Sequence, residues 1–318
     1  MAIPSAGFPT TPRMMSTVLE PIAAAQAPPS PAAVDDERQS ALDGLREVIH
    51  DVRQYRYLLY QLALRDVRIR YKQAVLGVAW AVFMPSLIVL AGLAVRVAMA
   101  HLSGEPVAGR EVSALAVKAV PWAFFVGTLQ FATGALTGNS NLVTKVYFPR
   151  EVLPLAATAA QMWDAAIACG VLGVALPLLG VRPTAALLWV PLLVVLFVLA
   201  TCAAALAASC ANLFFRDVKY IVQVLLTFGI FFTPVFLEPA MFGRAGARLV
   251  MLNPVAPLLQ AFRLTIVDGR GLLHPVVTAA GVAWQPWWLA YSAAWAVLGC
   301  AGAALLFHRS QALFAEYA

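Results

Sequence analysis

Residues 62–85 read LALRDVRIRYKQAVLGVAWAVFMP, and the change of character halfway along decides the fold. The first half sets Arg65, Arg68, Arg70 and Lys72 against a lone acid, Asp66, whereas Ala74–Val95 runs for 22 residues without a charge. An α-helix rises about 1.5 Å per residue, so about 20 apolar residues carry it across the roughly 30 Å hydrocarbon core of a bilayer. The second half therefore starts a membrane-crossing helix, and the first half is its basic approach.

Upstream, a helical period covers Val52–Lys72. At about 100° per residue, Tyr55, Leu58, Leu59, Leu62 and Ile69 gather on one side, and Arg53, Gln61, Arg65, Arg68 and Lys72 gather opposite. That pattern predicts a helix lying flat in the headgroup region; the rest of the chain offers little soluble surface for it to pack on instead. Six basic residues within twenty, just before an apolar run, point to a membrane surface and not to nucleic acid. Residues 1–35, rich in Pro, Ala and Ser, read as a disordered tail, and the charged stretch Asp35–Asp51 begins a helix. Two regions result: a weakly ordered tail over 1–51 and a membrane domain over 52–318.

Downstream, five more apolar runs follow: Ala119–Thr137, Val152–Val181 (interrupted by Asp164), Pro183–Phe215, Tyr220–Leu237 and Trp284–Phe307. The expected fold is all-α and polytopic, with six transmembrane helices. Between the fifth and sixth lie pieces too short to cross, broken or charged by Pro254, Pro257 and Arg263, which suit short interfacial or re-entrant helices buried against protein. Composition agrees: of 318 residues, 61% are hydrophobic and 12% charged, against about 25% charged in soluble domains. With the N-terminus inside, fourteen of the 22 Lys and Arg fall on the inner side, as the positive-inside rule requires. Both termini are then cytoplasmic. Cys169, Cys202, Cys210 and Cys300 sit in apolar runs without metal or redox spacing and read as buried thiols. Trp122, Trp284, Trp287 and Trp288 read as interfacial belt residues.

Few patterns support enzymatic chemistry. The four histidines are scattered, and no HExxH, GxSxG or GxxxxGK[ST] occurs, so the chain has no P-loop to cradle ATP. Asp164 inside a span costs roughly 2.5–3.5 kcal/mol on insertion scales and needs a reason: a structural bond to a neighbouring helix, or a part in transport. The segment between the second and third apolar runs, NLVTKVYFPREVLP (141–154), raises a second question. It begins with capping residues and ends its turn at Pro149. Yet Leu142, Val143, Val146, Tyr147 and Phe148 are too apolar for a loop that meets only water. A short amphipathic helix in another protein's groove explains both the apolar face and the charges of Lys145, Arg150 and Glu151; a tight loop capped on its own bundle is the alternative.

Taken in order, LALRDVRIRYKQAVLGVAWAVFMP, NSNLVTKVYFPREVLPLA, NLFFRDVKYIVQVLLTFGIFFTPV and LNPVAPLLQAFR resemble the ABC-2 type permeases that export polysaccharides, among them O-antigen, capsule and teichoic acid exporters. The resemblance runs from about residue 52 to 310. Its signatures are RD.R.RY....LG..W....P from Arg65 to Pro85 and FFRDV..I from Phe214 to Ile221. It implies that 139–150 is a coupling helix docking into a separate ABC ATPase subunit, through Asn141, Thr144, Lys145, Tyr147, Phe148, Arg150 and Glu151. It implies that the helix before the first span is an interface helix beside that subunit, with Arg65, Asp66, Arg68, Arg70 and Tyr71. The pieces between spans five and six resemble gate helices. Two copies would form the pore, and ATP and Mg would be bound by the partner ATPase, with no cofactor on this chain. The membrane would be the bacterial plasma (inner) membrane, and the substrate a lipid-linked glycan. Sugars present apolar C–H faces that stack on aromatic rings. Trp80 and Phe83 in span one and Phe228, Phe231 and Phe232 in span five are thus candidates for the substrate path, unless they face lipid or neighbouring helices. A drug- or lipid-exporting ABC-2 permease and a membrane-embedded glycolipid transferase are the competing readings.

Overall fold

The structure is a computed structural model and describes residues 31–72, 74–104, 109–145, 148–278 and 281–317. The chain divides into two units, Met1–Gly44 and Leu45–Ala318. Helix α1 (Pro31–Gln54) begins in the first and runs on into the second; the part of the expected tail before residue 31 lies outside the described residues. At Tyr55 the backbone leaves helical geometry (φ −94°, ψ 19°), and α2 (Arg56–Tyr71) starts. The continuous helix expected over 52–72 is thus two helices.

Five helical stretches are long and apolar enough to cross a membrane: Gly77–Leu102, Gly109–Thr133, Val152–Leu178, Ala185–Phe214 and Trp287–Gln311. They carry α3 (Trp80–Ser103), α4 (Gly109–Thr133), α6 (Val152–Leu178), α7 (Val190–Phe214) and α11 (Trp287–Tyr317). Between α4 and α6 lies the short α5 (Ser140–Lys145). The expected fifth span is shorter than its apolar run suggested. Helix α8 (Val218–Gly229) tightens into a 3₁₀ turn at Ile230–Phe232 and stops. Pro234 is the cause: the residue before a proline is pushed out of the helical region, and Thr233 is extended at φ −125°, ψ 155°. About 15 residues give little more than 20 Å of helix, short of the hydrocarbon thickness.

Where short re-entrant helices were expected, a sharply bent helix pair stands. Helix α9 (Gly243–Met251) and helix α10 (Val255–Ile266) meet at a 103° bend, and α10 is buried on nearly all sides. Asn253 Oδ1 accepts the Val255 N–H at 3.1 Å, capping α10 where Pro254 forces the turn. One element departs from the all-helical expectation: β1 (Val276–Thr278) and β2 (Gly281–Trp284) form an antiparallel hairpin.

Two buried clusters fill the bundle. One gathers Leu115, Phe124, Phe197, Phe236, Leu258 and Phe262 near the bent helix pair. The other, at the opposite end, gathers Leu62, Leu136, Val143, Phe148, Val152, Leu213 and Phe307, with Leu58 and Leu59 against it. Ile69, expected on the same apolar side as Leu62, is exposed instead. Trp122, Trp284 and Trp288 belong to the first cluster and not to a lipid-facing belt, the Trp284 indole N–H donating to Leu272 O at 3.0 Å; Trp287 is exposed. All four cysteines are free, but Cys169 is exposed and the other three are half-buried.

Helix α7 packs along α11 with small residues on both sides. Ala203 faces Gly299, where an added Cβ would lie 3.7 Å from the alanine methyl, and Ala303 and Ala304 are buried in the same cluster, whereas Ala205 is buried with Ala132 and Ala157. Small side chains let membrane helices approach closely enough for dispersion contacts to hold them. Helix α3 makes a tight approach at Gly92, where a Cβ would fall 2.8 Å from Leu115 and 3.0 Å from Phe236. Both neighbours are buried. Gly92→Val should therefore destabilise the chain by about 1–3 kcal/mol, the usual cost of overpacking a filled core, measurable as a lower unfolding midpoint in detergent.

Candidate coupling and gate sites

The end of the bundle carrying α5 brings together much of what the sequence singled out, but not all of it faces outward. Val143 and Phe148 are buried in the chain's own lower cluster, so part of the apolar side of this segment is already covered. The guanidinium of Arg150 donates to the carbonyls of Val143 (3.5 Å) and Gln311. Glu151, which precedes α6, is 2% exposed. It accepts a hydrogen bond from the Gln311 side chain and lies 3.5 Å from His308 Nδ1, while His308 Nε2 lies 3.4 Å from Glu47 of α1. The second Glu151 oxygen has no hydrogen-bond partner among the described residues. Burial pushes the Glu151 carboxyl above its usual range; its own backbone N–H, His308 and Gln311 pull the other way without cancelling that. Phe148, Arg150 and Glu151 thus tie the loop to α11. Asn141 stays exposed, only the backbone of Thr144 and Lys145 is described, and Tyr147 lies outside the described residues.

Helix α2 is stitched to the same region at two points. Arg65, paired with Asp66 at 2.8 Å, also donates to Asn139 Oδ1 at 3.1 Å, just before α5. Farther along, Arg70 donates to Gln161 at 2.9 Å and to Asp164, and the Tyr71 hydroxyl donates to Asp164 as well. Arg70 also lies over the Phe131 ring, 4.2 Å from its centroid. Asp164 stands about three turns into α6, so α2 is held lengthwise against a span. Of the interface residues named from the sequence, Arg68 alone is fully exposed. Asp164 thus has its counter-charge in Arg70, a bond between α2 and α6.

Beside this pair a cavity of about 530 Å³ opens between α3, α4 and α6, walled by Trp80, Phe124, Phe131 and Phe236 over a floor of Arg70 and Asp164. Trp80 and Phe83 pack edge to face at 5.3 Å, and Phe231 packs on Phe236 at 5.8 Å. Trp80 therefore lines this cavity and Phe231 adjoins it. Phe228 and Phe232 are exposed on the surface of the single chain.

The opposite end holds an ion-pair cluster that sequence reasoning missed. Glu238, in the turn after α8, meets Lys118 of α4 at 2.7 Å, Arg263 of α10 at 2.6 Å and Arg96 of α3 at 3.4 Å. Arg96 also reaches Glu111 at 3.4 Å, and Asp268 joins Arg110 at 2.8 Å and Arg263 at 3.8 Å. Lys118 is completely buried. Burial alone would push the Glu238 carboxyl up, but Lys118, Arg263 and Arg96 together hold it below the usual carboxylate range. A signal for this cluster existed: Lys118 and Arg263 lie in apolar segments where a bare cation is costly, and Glu238 is the only acid between Asp217 and Asp268.

A five- or six-span bundle with a basic helix along one span and, at the opposite end, a bent helix pair whose second member is buried describes a multi-pass membrane protein. The ABC-2 type transporter family profile matches residues 57–267, and the chain belongs to that family. It is similar to the O-antigen export system permease protein RfbA of Myxococcus xanthus, 27% identical over 250 residues that cover 77% of this chain and 94% of the relative. It is also similar to the protein of the same name from Klebsiella pneumoniae, 24% identical over 218 residues covering 67% of this chain and 81% of the relative.

Two outcomes follow from the buried carboxylates. Glu238→Gln leaves the buried Lys118 without its counter-charge, while Arg263 keeps only Asp268 at 3.8 Å, and should cost about 3–5 kcal/mol, read as a lower thermal midpoint in nanodiscs. Because its folded pKa is depressed, Glu238 stabilises fully above the unfolded carboxylate pKa of about 4.3. That stabilisation fades as pH falls toward the folded value, and the variant should lack this acid-side loss. Glu151 has the opposite sign: its pKa is raised, so its ionised form is penalised and stability falls as pH rises through the folded value. Glu151→Gln should accordingly raise the midpoint at pH 8 by the equivalent of about 1–3 kcal/mol, with a smaller gain at pH 5.

Proposed function

We propose that this chain is the membrane-spanning permease subunit of a bacterial exporter that moves a lipid-linked polysaccharide across the plasma membrane. A separate ABC ATPase subunit, binding ATP and Mg, supplies the work. The observation that carries the reading is the family match over 57–267, together with relatives named as O-antigen export permeases that align over most of their own length. The absence of a P-loop fits a division of labour in which hydrolysis belongs to the partner.

On this reading the α5 end faces the cytoplasm, both termini lie there, and two copies of the chain enclose the path. The ATPase docks on the 139–147 segment, where the exposed Asn141 and the sequence candidates Thr144, Lys145 and Tyr147 make the contact, together with the exposed Arg68 of α2. Phe148, Arg150 and Glu151 serve as the root of that segment. A push on α5 then has two routes into the bundle. One passes from Asn139 through Arg65 to α2, and from α2 through Arg70 to Asp164 on α6. The other passes through Glu151, His308 and Gln311 to α11. At the outer end, the Glu238 cluster holds the bent α9–α10 pair against α3 and α4 and acts as the clasp that has to shift for a glycan to leave. The aromatic wall at Trp80, with Phe83 and Phe231 packed next to wall residues, suits a sliding sugar chain, since C–H faces stack on rings without strong directional trapping.

The test is complementation of a deletion strain. Loss of the gene should leave a surface glycan accumulated inside the cell, and the wild-type chain should restore export and co-purify with an ATPase. Lys145→Glu should cut co-purification and export at least tenfold while the purified chain keeps its unfolding midpoint. Undiminished surface glycan in the deletion strain, or turnover of a lipid substrate by the purified chain alone, overturns the reading.

A further inference from the structure

Three elements converge on the imidazole of His308, near the end of α11. Its Nε2 lies 3.4 Å from a carboxylate oxygen of Glu47 on α1, and its Nδ1 lies 3.5 Å from Glu151 Oε1 in the turn that leads into α6. The Glu47 side chain is 63% exposed, whereas that of Glu151 is 2% exposed. Gln311, one turn along α11, donates to the same Glu151 oxygen. Among the described residues, Glu151 Oε2 and His308 Nδ1 are both buried without a hydrogen-bond partner. The two unmatched atoms belong to side chains that face each other.

The count of donors explains why this contact is unfinished. A neutral imidazole carries one N–H and one bare nitrogen, and an ionised carboxylate only accepts. With the N–H turned to Glu47, the bare Nδ1 meets Glu151 as acceptor against acceptor. With it turned to Glu151, the bare nitrogen meets Glu47 instead. Both contacts close together only when the His308–Glu151 pair holds one more proton. Either the imidazole carries it and donates from both nitrogens, or the Glu151 carboxyl carries it and donates to Nδ1. Burial favours the added proton as well, because it penalises the ionised carboxylate of Glu151.

The elements around this corner bring other charged or titratable groups: Asp43, Arg46, His50 and Asp51 from α1, Lys145 from α5, Arg150 from the turn, Cys210 from α7 and Arg309 from α11. Arg46, His50 and Arg309 are exposed, and only the backbone of Lys145 is described. Arg150 donates to the carbonyls of Val143 and Gln311, and Cys210 is bonded to Ser310.

We infer that Glu47, His308 and Glu151 form a proton-dependent bridge, closed when their imidazole–carboxyl pair holds one proton beyond that of a neutral histidine and parted between α6 and α11 without it. His308 is then a positioning residue that fastens the root of the 139–151 segment to α11 and α1 together. Lowering the pH closes the bridge, and raising it opens the bridge. The consequence for export rests on the function proposed above: a closed bridge makes the turn before α6 and the last helix move as one, and an open bridge disconnects the second of the two routes into the bundle.

The test is hydrogen exchange, read by mass spectrometry on the full chain in nanodiscs at pH 6 and pH 9, with labelling times scaled for the intrinsic pH dependence of exchange. Peptides from the start of α6 and the end of α11 should exchange at least tenfold faster at the higher pH, while peptides from α4 hold steady. Glu151→Gln should protect both segments at either pH, because an amide donates to Nδ1 without an added proton. Glu47→Ala should do the same, because it frees the imidazole to turn its single N–H to Glu151. His308→Ala should leave both segments fast at either pH. Steady α4 peptides check that each variant folds. Equal wild-type exchange at the two pH values, a pH response that persists in Glu151→Gln or Glu47→Ala, or slow exchange in His308→Ala overturns the bridge. Neither outcome touches the export reading, which the deletion strain decides.

Discussion

A charge inside an apolar slab has to meet its opposite, and in this chain two such meetings join elements that are distant in sequence. Glu238 answers cations carried by α3, α4 and α10. Asp164 answers Arg70 across a separation of 94 residues. The desolvation cost of each ion makes these pairs poor sources of net stability, since a well-packed apolar set would do as well. What they supply is registration. A slipped helix would leave an ion buried alone, so the charges fix which turn of α2 lies against α6 and how deep the bent pair sits.

Apolar runs were the legible part of the sequence. They locate five spans, closely at Val152–Leu178 and Ala185–Phe214, because length and hydropathy are enough to define a helix that crosses lipid; the second span, however, already begins at Gly109, well before the uncharged run from Ala119. The short α8 was harder: its run of apolar residues continues to Leu237, and only the backbone preference imposed by Pro234 ends the helix earlier. The hairpin at 276–284 gave no strong alternation and was missed. Periodicity also misled at Ile69, which shares a helical side with Leu62 but lies beyond the part of α2 that the lower core covers.

Site residues were legible as a region and less so as individuals. At Val143 and Phe148 apolar content was a sound signal of burial, yet the surface that covers them belongs to this chain. Sequence alone cannot tell a groove in a partner from a groove in the same bundle, because both reward the same side chains. Glu151 shows the same limit: a charge beside a membrane helix reads as exposed until His308 and Gln311, about 160 positions later, are found beside it. Long-range pairing was also what hid the Glu238 cluster, whose members come from four separate segments.

The seam of alanines and glycines between α7 and α11 has a mechanical consequence. Two helices in near backbone contact have little room to slide or tilt independently, so they behave as one stiff post. The α2–α6 contact differs, because it relies on long side chains with rotatable bonds, and a pair of that kind can lengthen or swing by an ångström or two before it parts. Of the two contacts the α7–α11 seam is therefore the stiffer and the α2–α6 contact the more compliant.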